Sequence, residues 1–251
     1  METCKSEETA FLYLAIISNT KRSKIMSFIY KSIVSILRKI NIYDKRNLSY
    51  SLIISSLITN EENKIILDIG TGAGIIANSL CKEKKVFLVG LDIDRRVFHK
   101  NGAQLFYPII ADAHHLPFKN EVFDVILFIS CIEHLDHPLT AINEISRITK
   151  QNGFCITQLP NLQWLMEPHT KFPLLYFVPR GFSSIILKSS GYVSVNLKVT
   201  LKNVISWFTK AGFTNTQRIK VYHNLKIFKP LPWPLGWFLI FHKKERNTTH
   251  K

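Results

Sequence analysis

Apolar residues recur along this chain with two different periods. From residue 64 onward, short and nearly unbroken apolar runs alternate with stretches of helical spacing. The runs at 65–69, 86–91, 107–111, 123–129 and 154–159 have the length and composition of strands covered on both faces. Helices are expected from residue 75 onward, over 139–149 and over 200–211, with Gly212 capping the last. Further strands are expected at 213–222 and 236–242. A strand–helix–strand rhythm predicts an α/β fold with a parallel sheet.

Two segments break the rhythm. The first sixty residues read as helices at 7–19, 21–41 and 47–58. In the second of these, Ile25, Ile29, Ile33, Ile36, Leu37 and Ile40 recur at helical spacing among Lys21, Arg22, Lys24, Lys31, Arg38 and Lys39. Such a helix can lie on a membrane surface or pack on the domain as a lid; the lid is preferred. Residues 161–198 are longer than an ordinary connection, and such insertions usually carry function. The expected organisation is a helical extension over 1–62 and one α/β domain over 63–251, with a helical cap inserted at 161–198.

The segment 64–80, KIILDIGTGAGIIANSL, organises the rest. It joins an apolar strand to a helix through Gly70, Gly72 and Gly74. A buried strand, a glycine turn and a helix start together form a nucleotide-binding crevice. The dinucleotide fingerprint G-x-G-x-x-G requires a third glycine where Ile75 stands. A phosphate loop requires a Lys-Ser or Lys-Thr pair, which does not follow. Asp92 ends the second strand about 20 residues beyond the turn, where an acid can accept bonds from both ribose hydroxyls.

The pattern D-x-G-x-G-x-G, from Asp68, resembles the class I S-adenosylmethionine-dependent methyltransferases. The segment 110–159 strengthens the resemblance with A-D-A-x-x-L-P-F, F-D-V, I-E-H and E-I-x-R-x-x-K-x-x-G in order. The pattern is most similar to the methyltransferases of ubiquinone and menaquinone biosynthesis (the type 11 group). The resemblance implies a doubly wound, Rossmann-like and mostly parallel seven-stranded sheet. Its last strand would run antiparallel between strands five and six. S-adenosylmethionine is the implied cofactor, held by Asp68, Gly70, Gly72, Gly74, Asp92, Ile93, Asp112 and Ala113. Asp112 would lie near the adenine amino group and Ala113 beside the ring.

Charge adds a constraint. The net charge is +15, unevenly placed. Residues 1–50 hold nine Lys+Arg against four Asp+Glu, and residues 161–251 hold fourteen against two, while 51–160 hold ten against twelve. Basic flanks around a near-neutral core favour an anionic partner, whether nucleic acid, a phospholipid surface or a phosphorylated small molecule. A generally lysine-rich composition is the plainer alternative. Cys4, Cys81, Cys131 and Cys155 form no C-x-x-C pair and read as reduced thiols of a cytoplasmic protein. No secretory signal is expected, and no apolar run reaches about 18 residues.

Methyl transfer from a sulfonium needs alignment and, for a weak nucleophile, a base. His134, beyond the fourth strand, and His169, in the insertion, are the catalytic candidates. Glu133, Trp164 and Arg180 are the candidate acceptor-binding residues; Lys171 could assist Arg180 in gripping a carboxylate or phosphate. His114 and His115 read as an exposed loop pair. Ubiquinone-type O-methyltransferases resemble E-x-x-E-H after the fourth strand and hold a divalent ion there. This chain has Ser130 in place of the first glutamate, a poor ligand for a hard cation, so no metal is expected. The expectation is O- or C-methylation of a hydrophobic, anionic small molecule or lipid precursor, with peripheral contact at an anionic membrane. The alternatives are RNA methylation and a non-catalytic cofactor-binding module tethered by its basic flanks.

Overall fold

The structure is a computed structural model that describes residues 46–58, 63–99, 104–161, 196, 199–221, 234 and 236–244. In chain order its elements are α1 (Arg46–Leu57), β1 (Ile65–Ile69), α2 (Ile75–Glu83), β2 (Phe87–Asp92), β3 (Tyr107–Ile110), β4 (Phe123–Ile129), α3 (Pro138–Ile148), β5 (Thr149–Pro160), α4 (Leu201–Lys210), β6 (Phe213–Val221) and β7 (Gly236–Lys243). Short 3-10 turns follow β2 at Arg95–His99 and β4 at Ile132–His134.

The seven strands form one sheet in the order β3-β2-β1-β4-β5-β7-β6. The first five are parallel. β7 lies antiparallel between β5 and β6, which makes the sheet mixed. β1 is central, and the order reverses beside it: β2 lies on one flank and β4 on the other. In an open α/β sheet that switch point is where the strands' carboxyl ends leave a crevice.

Both faces of the sheet are covered. Leu67 and Ile69 pack into a core with Ala141, Ile142 and Ile145 of α3 and with Val204 and Phe208 of α4. Ile66 points to the opposite core, formed with Ile54 of α1 and with Ala77 and Leu80 of α2. The period-2 alternation of a strand thus serves two apolar layers, so β1 reads as an unbroken apolar run apart from Asp68. Phe208 stacks on Phe241 of β7 with ring centroids 4.0 Å apart, fixing α4 to the antiparallel strand. Thr200 caps α4, its hydroxyl accepting from the Asn203 N–H at 3.2 Å.

The largest boundary difference from the sequence expectation is in β5. β5 begins at Thr149, directly after α3, rather than at 154. Thr149 pairs with Phe123 and Phe154 with Val125, so residues 150–153 oppose Asp124 alone as a bulge. Asn152, at φ +63°, makes that bend. β2 ends on Asp92, as expected. The expected helices at 7–19 and 21–41 and the cap at 161–198 lie outside the described residues, apart from Asn161 and Asn196.

Candidate active site

The site is built at the carboxyl ends of β1 to β4. Gly70, Gly72 and Gly74 all take left-handed backbone, at φ +72°, +53° and +71°. A side chain at any of them would be strained. Their surroundings separate their roles. A Cβ on Gly70 would stand 2.7 Å from Cys131 Sγ. A Cβ on Gly74 would run into the Phe106 ring, which also presses on Gly90 of β2. Around Gly72 nothing lies within 4 Å of a Cβ position. Gly70 and Gly74 are therefore needed for packing, while Gly72 faces open space where the body of a ligand can approach the backbone.

Hydrogen bonds lock this turn to the end of β2. The N–H groups of Gly70 and Thr71 both donate to the Leu91 carbonyl, at 2.8 and 3.0 Å. The Gly72 N–H donates to Asp92 Oδ2 at 2.9 Å, and the Asp94 N–H to Asp92 Oδ1 at 2.9 Å. Each carboxylate oxygen keeps a lone pair for a further donor. Ile93, 71% exposed, projects beside Asp92 as an apolar surface.

Asp68 lies beneath the turn and is almost fully buried. Its Oδ2 accepts the Thr71 hydroxyl at 2.7 Å. Burial raises its pKa to about 6; the Thr71 bond opposes the shift and the neighbouring Asp92 charge adds to it. Asp68 thus shapes the turn from below rather than offering its carboxylate at the surface. Under Gly70, Cys131 is also desolvated. That burial, with the negative charges of Glu133, Asp92 and Asp68, pushes its thiol pKa far up and keeps it protonated.

The segment after β3 gives one correction. Asp112 and Ala113 stand where expected, at the end of β3, with Ala113 buried. His114 is not an exposed loop residue: its side chain is 18% exposed, against 84% for His115. The His114 backbone N–H donates to Asp112 Oδ1 at 2.9 Å, and its ring Nδ1 lies 2.7 Å from the same oxygen. An aspartate side chain accepting from its own chain two residues on is a local turn the sequence could suggest; burial of the ring is tertiary.

Glu133, in the 3-10 turn after β4, is fully buried. Its backbone carbonyl accepts from the Asn196 N–H at 2.7 Å, and the Asn196 side chain donates to the Leu135 carbonyl at 3.0 Å. The 3-10 turn at Ile132–His134 is thus stitched to the chain that returns from the insertion. His134, in the same turn, is partly exposed. His169, Trp164, Arg180 and Lys171 lie outside the described residues.

Phe106, which sequence reasoning passed over, and Ser130 and Arg147, which it read without these contacts, shape the site. Phe106 wedges between Gly74 and Gly90, and the preceding Leu105 N–H donates to Asn78 Oδ1 of α2 at 2.9 Å. Ser130 takes left-handed backbone at φ +49° directly after β4, and its hydroxyl donates to Oε1 of the buried Gln158. Sparsely populated backbone of this kind collects at functional sites. Arg147 forks onto both oxygens of Glu144, each at 2.7 Å, and reaches the carbonyls of Phe118 and Leu116 at 2.7 and 3.0 Å. Glu144 accepts the Leu116 N–H at 2.9 Å. The E-I-x-R pattern on α3 is therefore a clamp on the loop after β3. Among the described residues, no three His, Cys, Asp or Glu side chains converge as a metal-ligand set.

Comparison with known proteins agrees with this geometry. Residues 67–157 match the methyltransferase-domain family. An uncharacterised protein of Methanocaldococcus jannaschii is 35% identical over 118 residues, covering 45% of this chain and 50% of that protein. The ubiquinone biosynthesis O-methyltransferase of Aliivibrio fischeri is 29% identical over 128 residues, covering 47% and 54%. The chain spans about half the length of these curated relatives. A solved S-adenosylmethionine-dependent methyltransferase of Thermotoga maritima superposes with a TM-score of 0.60 at 19% identity, over 86% of this chain and 98% of that one. Residues 67–157 thus match a methyltransferase domain, and the likeness to solved structures shows a Rossmann-like methyltransferase fold.

Proposed function

We propose that the protein transfers a methyl group from S-adenosylmethionine to oxygen or carbon of a hydrophobic, anionic small molecule or lipid precursor. The observation that carries the cofactor assignment is the pairing of Gly72 with Asp92. The glycine turn leaves open space above Gly72, and Asp92 stands beside it with lone pairs for hydroxyl donors. When bound, S-adenosylmethionine supplies an electrophilic methyl group whose leaving group is a neutral thioether. The residues present fit its parts. Asp92 accepts from ribose hydroxyls, Asp112 accepts from the adenine amino group, and Ile93 and Ala113 bracket the ring with apolar surface. Gly72 gives the close approach that a sulfonium chain needs, and Asp68 fixes Thr71 and hence the turn.

The acceptor side rests on chemistry near the end of β4. His134 is the base candidate in the crevice, and His169 is its counterpart in the insertion. Trp164 and Arg180 would provide an apolar wall and an anion contact. The similarity to ubiquinone biosynthesis O-methyltransferases and the basic flanks both support an apolar acceptor bearing negative charge or held at an anionic surface. Ser130 stands where those enzymes' metal-site pattern has a glutamate, so the reading does not route through a metal.

The test has two stages. Calorimetry with S-adenosylmethionine and with NAD establishes the cofactor; binding of NAD alone would end the reading. Transfer of labelled methyl from the cofactor to the lipid, RNA and protein fractions of a cell extract then establishes the acceptor class. Label in the lipid or small-molecule fraction is expected. Label in RNA alone would move the assignment to RNA methylation, and cofactor binding without transfer to any fraction would make this a binding module.

A further inference from the structure

Asp112 carries its hydrogen bonds unevenly. Two donors from one residue converge on Oδ1: the His114 backbone N–H at 2.9 Å and its ring Nδ1 at 2.7 Å. The nearest cation candidate to Oδ2 is His115 Nδ1, at 4.0 Å and on a side chain that is 84% exposed. That separation is too long for a hydrogen bond. The His114 bonds and nearby imidazoles hold the Asp112 carboxyl below the usual carboxylate range, so it is ionised and can only accept. Nδ1 of His114 must therefore be the hydrogen-bearing nitrogen of that ring.

The other ring nitrogen tells where His114 is anchored. Nε2 is buried and meets no hydrogen-bond partner among the described residues. The ring is instead packed edge-on to His137, with centroids 6.2 Å apart and planes at 71°. Its one polar attachment is Asp112. A histidine buried with one nitrogen unsatisfied costs stability, and the bond to Oδ1 is what it provides in return. The turn that presents it is itself clamped by Glu144 and Arg147 through Leu116.

We propose that His114 is a positioning residue for recognition of a 6-aminopurine: by occupying Oδ1 of Asp112 it reserves Oδ2 as the acceptor for one exocyclic N–H. This rests on the cofactor reading above and adds to it a specificity device two residues from the contact. A carboxylate free to rotate can offer either oxygen to water. One held through Oδ1 presents Oδ2 already oriented, so less ordering is left for the ligand to impose. An amino group at the 6-position donates to that oxygen. A 6-oxo group is an acceptor and would face a second acceptor.

The experiment measures affinity for S-adenosylhomocysteine and for its hypoxanthine counterpart, S-inosylhomocysteine, in the full-length chain. The wild type is expected to favour the adenine form. His114→Ala removes the ring donor but keeps the backbone N–H on Oδ1, so it should weaken the adenine form by up to about tenfold, the most that one loosened hydrogen bond to a charged acceptor can cost. It should leave the hypoxanthine form nearly unchanged, so that discrimination narrows. His114→Asn places an amide nitrogen where Nδ1 stands and should restore discrimination even if it unfolds earlier than the wild type. Equal losses for both ligands in the alanine variant, or an asparagine variant that behaves like alanine, would reduce His114 to a packing residue and overturn the inference. If the wild type binds neither ligand, the cofactor reading fails and this inference falls with it. If it binds both and His114→Ala changes nothing, only the inference fails.

Discussion

Gly72 and Asp92 are joined by one hydrogen bond, from the glycine N–H to Oδ2 at 2.9 Å, across the gap between β1 and β2. The contact makes Asp92 both a brace for the turn and a candidate ligand for the ribose. Asp92→Ala should therefore cost cofactor affinity about 1.5–3 kcal/mol for each hydroxyl bond lost. Asp92→Asn should not be benign. Its amide NH2 must face either the Gly72 or the Asp94 N–H, donor against donor. Calorimetry on both variants checks this, and unchanged affinity in the alanine variant would remove Asp92 from the site.

Gly70 and Gly72 of the turn should separate by phenotype. Gly70→Ala and Gly72→Ala both place a side chain on left-handed backbone, a strain of about 1–2 kcal/mol. Only Gly70→Ala also collides with Cys131 Sγ, 2.7 Å from the added carbon. Gly70→Ala is expected to lower the unfolding midpoint more. Gly72→Ala should stay better folded but lose cofactor, because its methyl fills the space the ligand needs. Denaturant unfolding set beside binding titrations would show the split; a Gly72→Ala protein with intact affinity would contradict it.

Asp68 should leave a signature in the pH dependence of stability. Its folded pKa, raised to about 6 against 3.8, means the native state holds its proton more tightly than the unfolded chain. The native state binds more protons between those values, so stability falls as pH rises from about 4 to about 6. The full effect is about 3 kcal/mol. Asp68→Asn, which keeps an oxygen for the Thr71 hydroxyl, should flatten that part of the curve. Parallel wild-type and Asp68→Asn curves across pH 4–7 would show that the group does not carry the shift.

Arg147 makes its bonds as a planar fork, two to Glu144, two to loop carbonyls and one to Asn120 Oδ1. Lysine keeps the charge but cannot reproduce that geometry. Arg147→Lys is expected to cost about 1–2 kcal/mol in urea unfolding. It should also weaken cofactor binding, because the clamped loop is the one that follows Asp112. A variant as stable as the wild type would mean that the fork is solvated charge only.

How much of this was legible in the chain follows from the range of the forces involved. β1 and β4 were readable to the residue because strands buried on both faces must be apolar throughout. The glycine turn was readable because left-handed backbone selects glycine. The reasons behind individual glycines were not. Gly74 and Gly90 are small because Phe106 lies between them, and that residue sits far away in sequence. His114 looked like half of a polar pair, since nothing local says that one imidazole turns inward while its neighbour stays 84% exposed.

Ser130 offers a way to separate backbone strain from side-chain chemistry at the acceptor end of the crevice. Its φ of +49° is costly for any residue with a Cβ, and its hydroxyl donates to Gln158 Oε1. Ser130→Ala loses the hydroxyl and keeps the strain, whereas Ser130→Gly loses the hydroxyl and relieves it. The glycine variant should thus be the more stable of the two by about 1 kcal/mol. Both leave the Gln158 oxygen without its serine donor, so the alanine variant should also fall below the wild type by about 1–3 kcal/mol. Neither change touches Gly72, Asp92 or Asp112, so cofactor affinity should be unaltered in both. Transfer of labelled methyl to the active extract fraction decides the remaining point. Equal loss in both variants assigns the effect to the hydroxyl and its hold on Gln158. Loss in the glycine variant alone assigns it to the fixed backbone after β4. Full transfer in both would remove Ser130 from the acceptor site and leave its conformation a feature of the strand end.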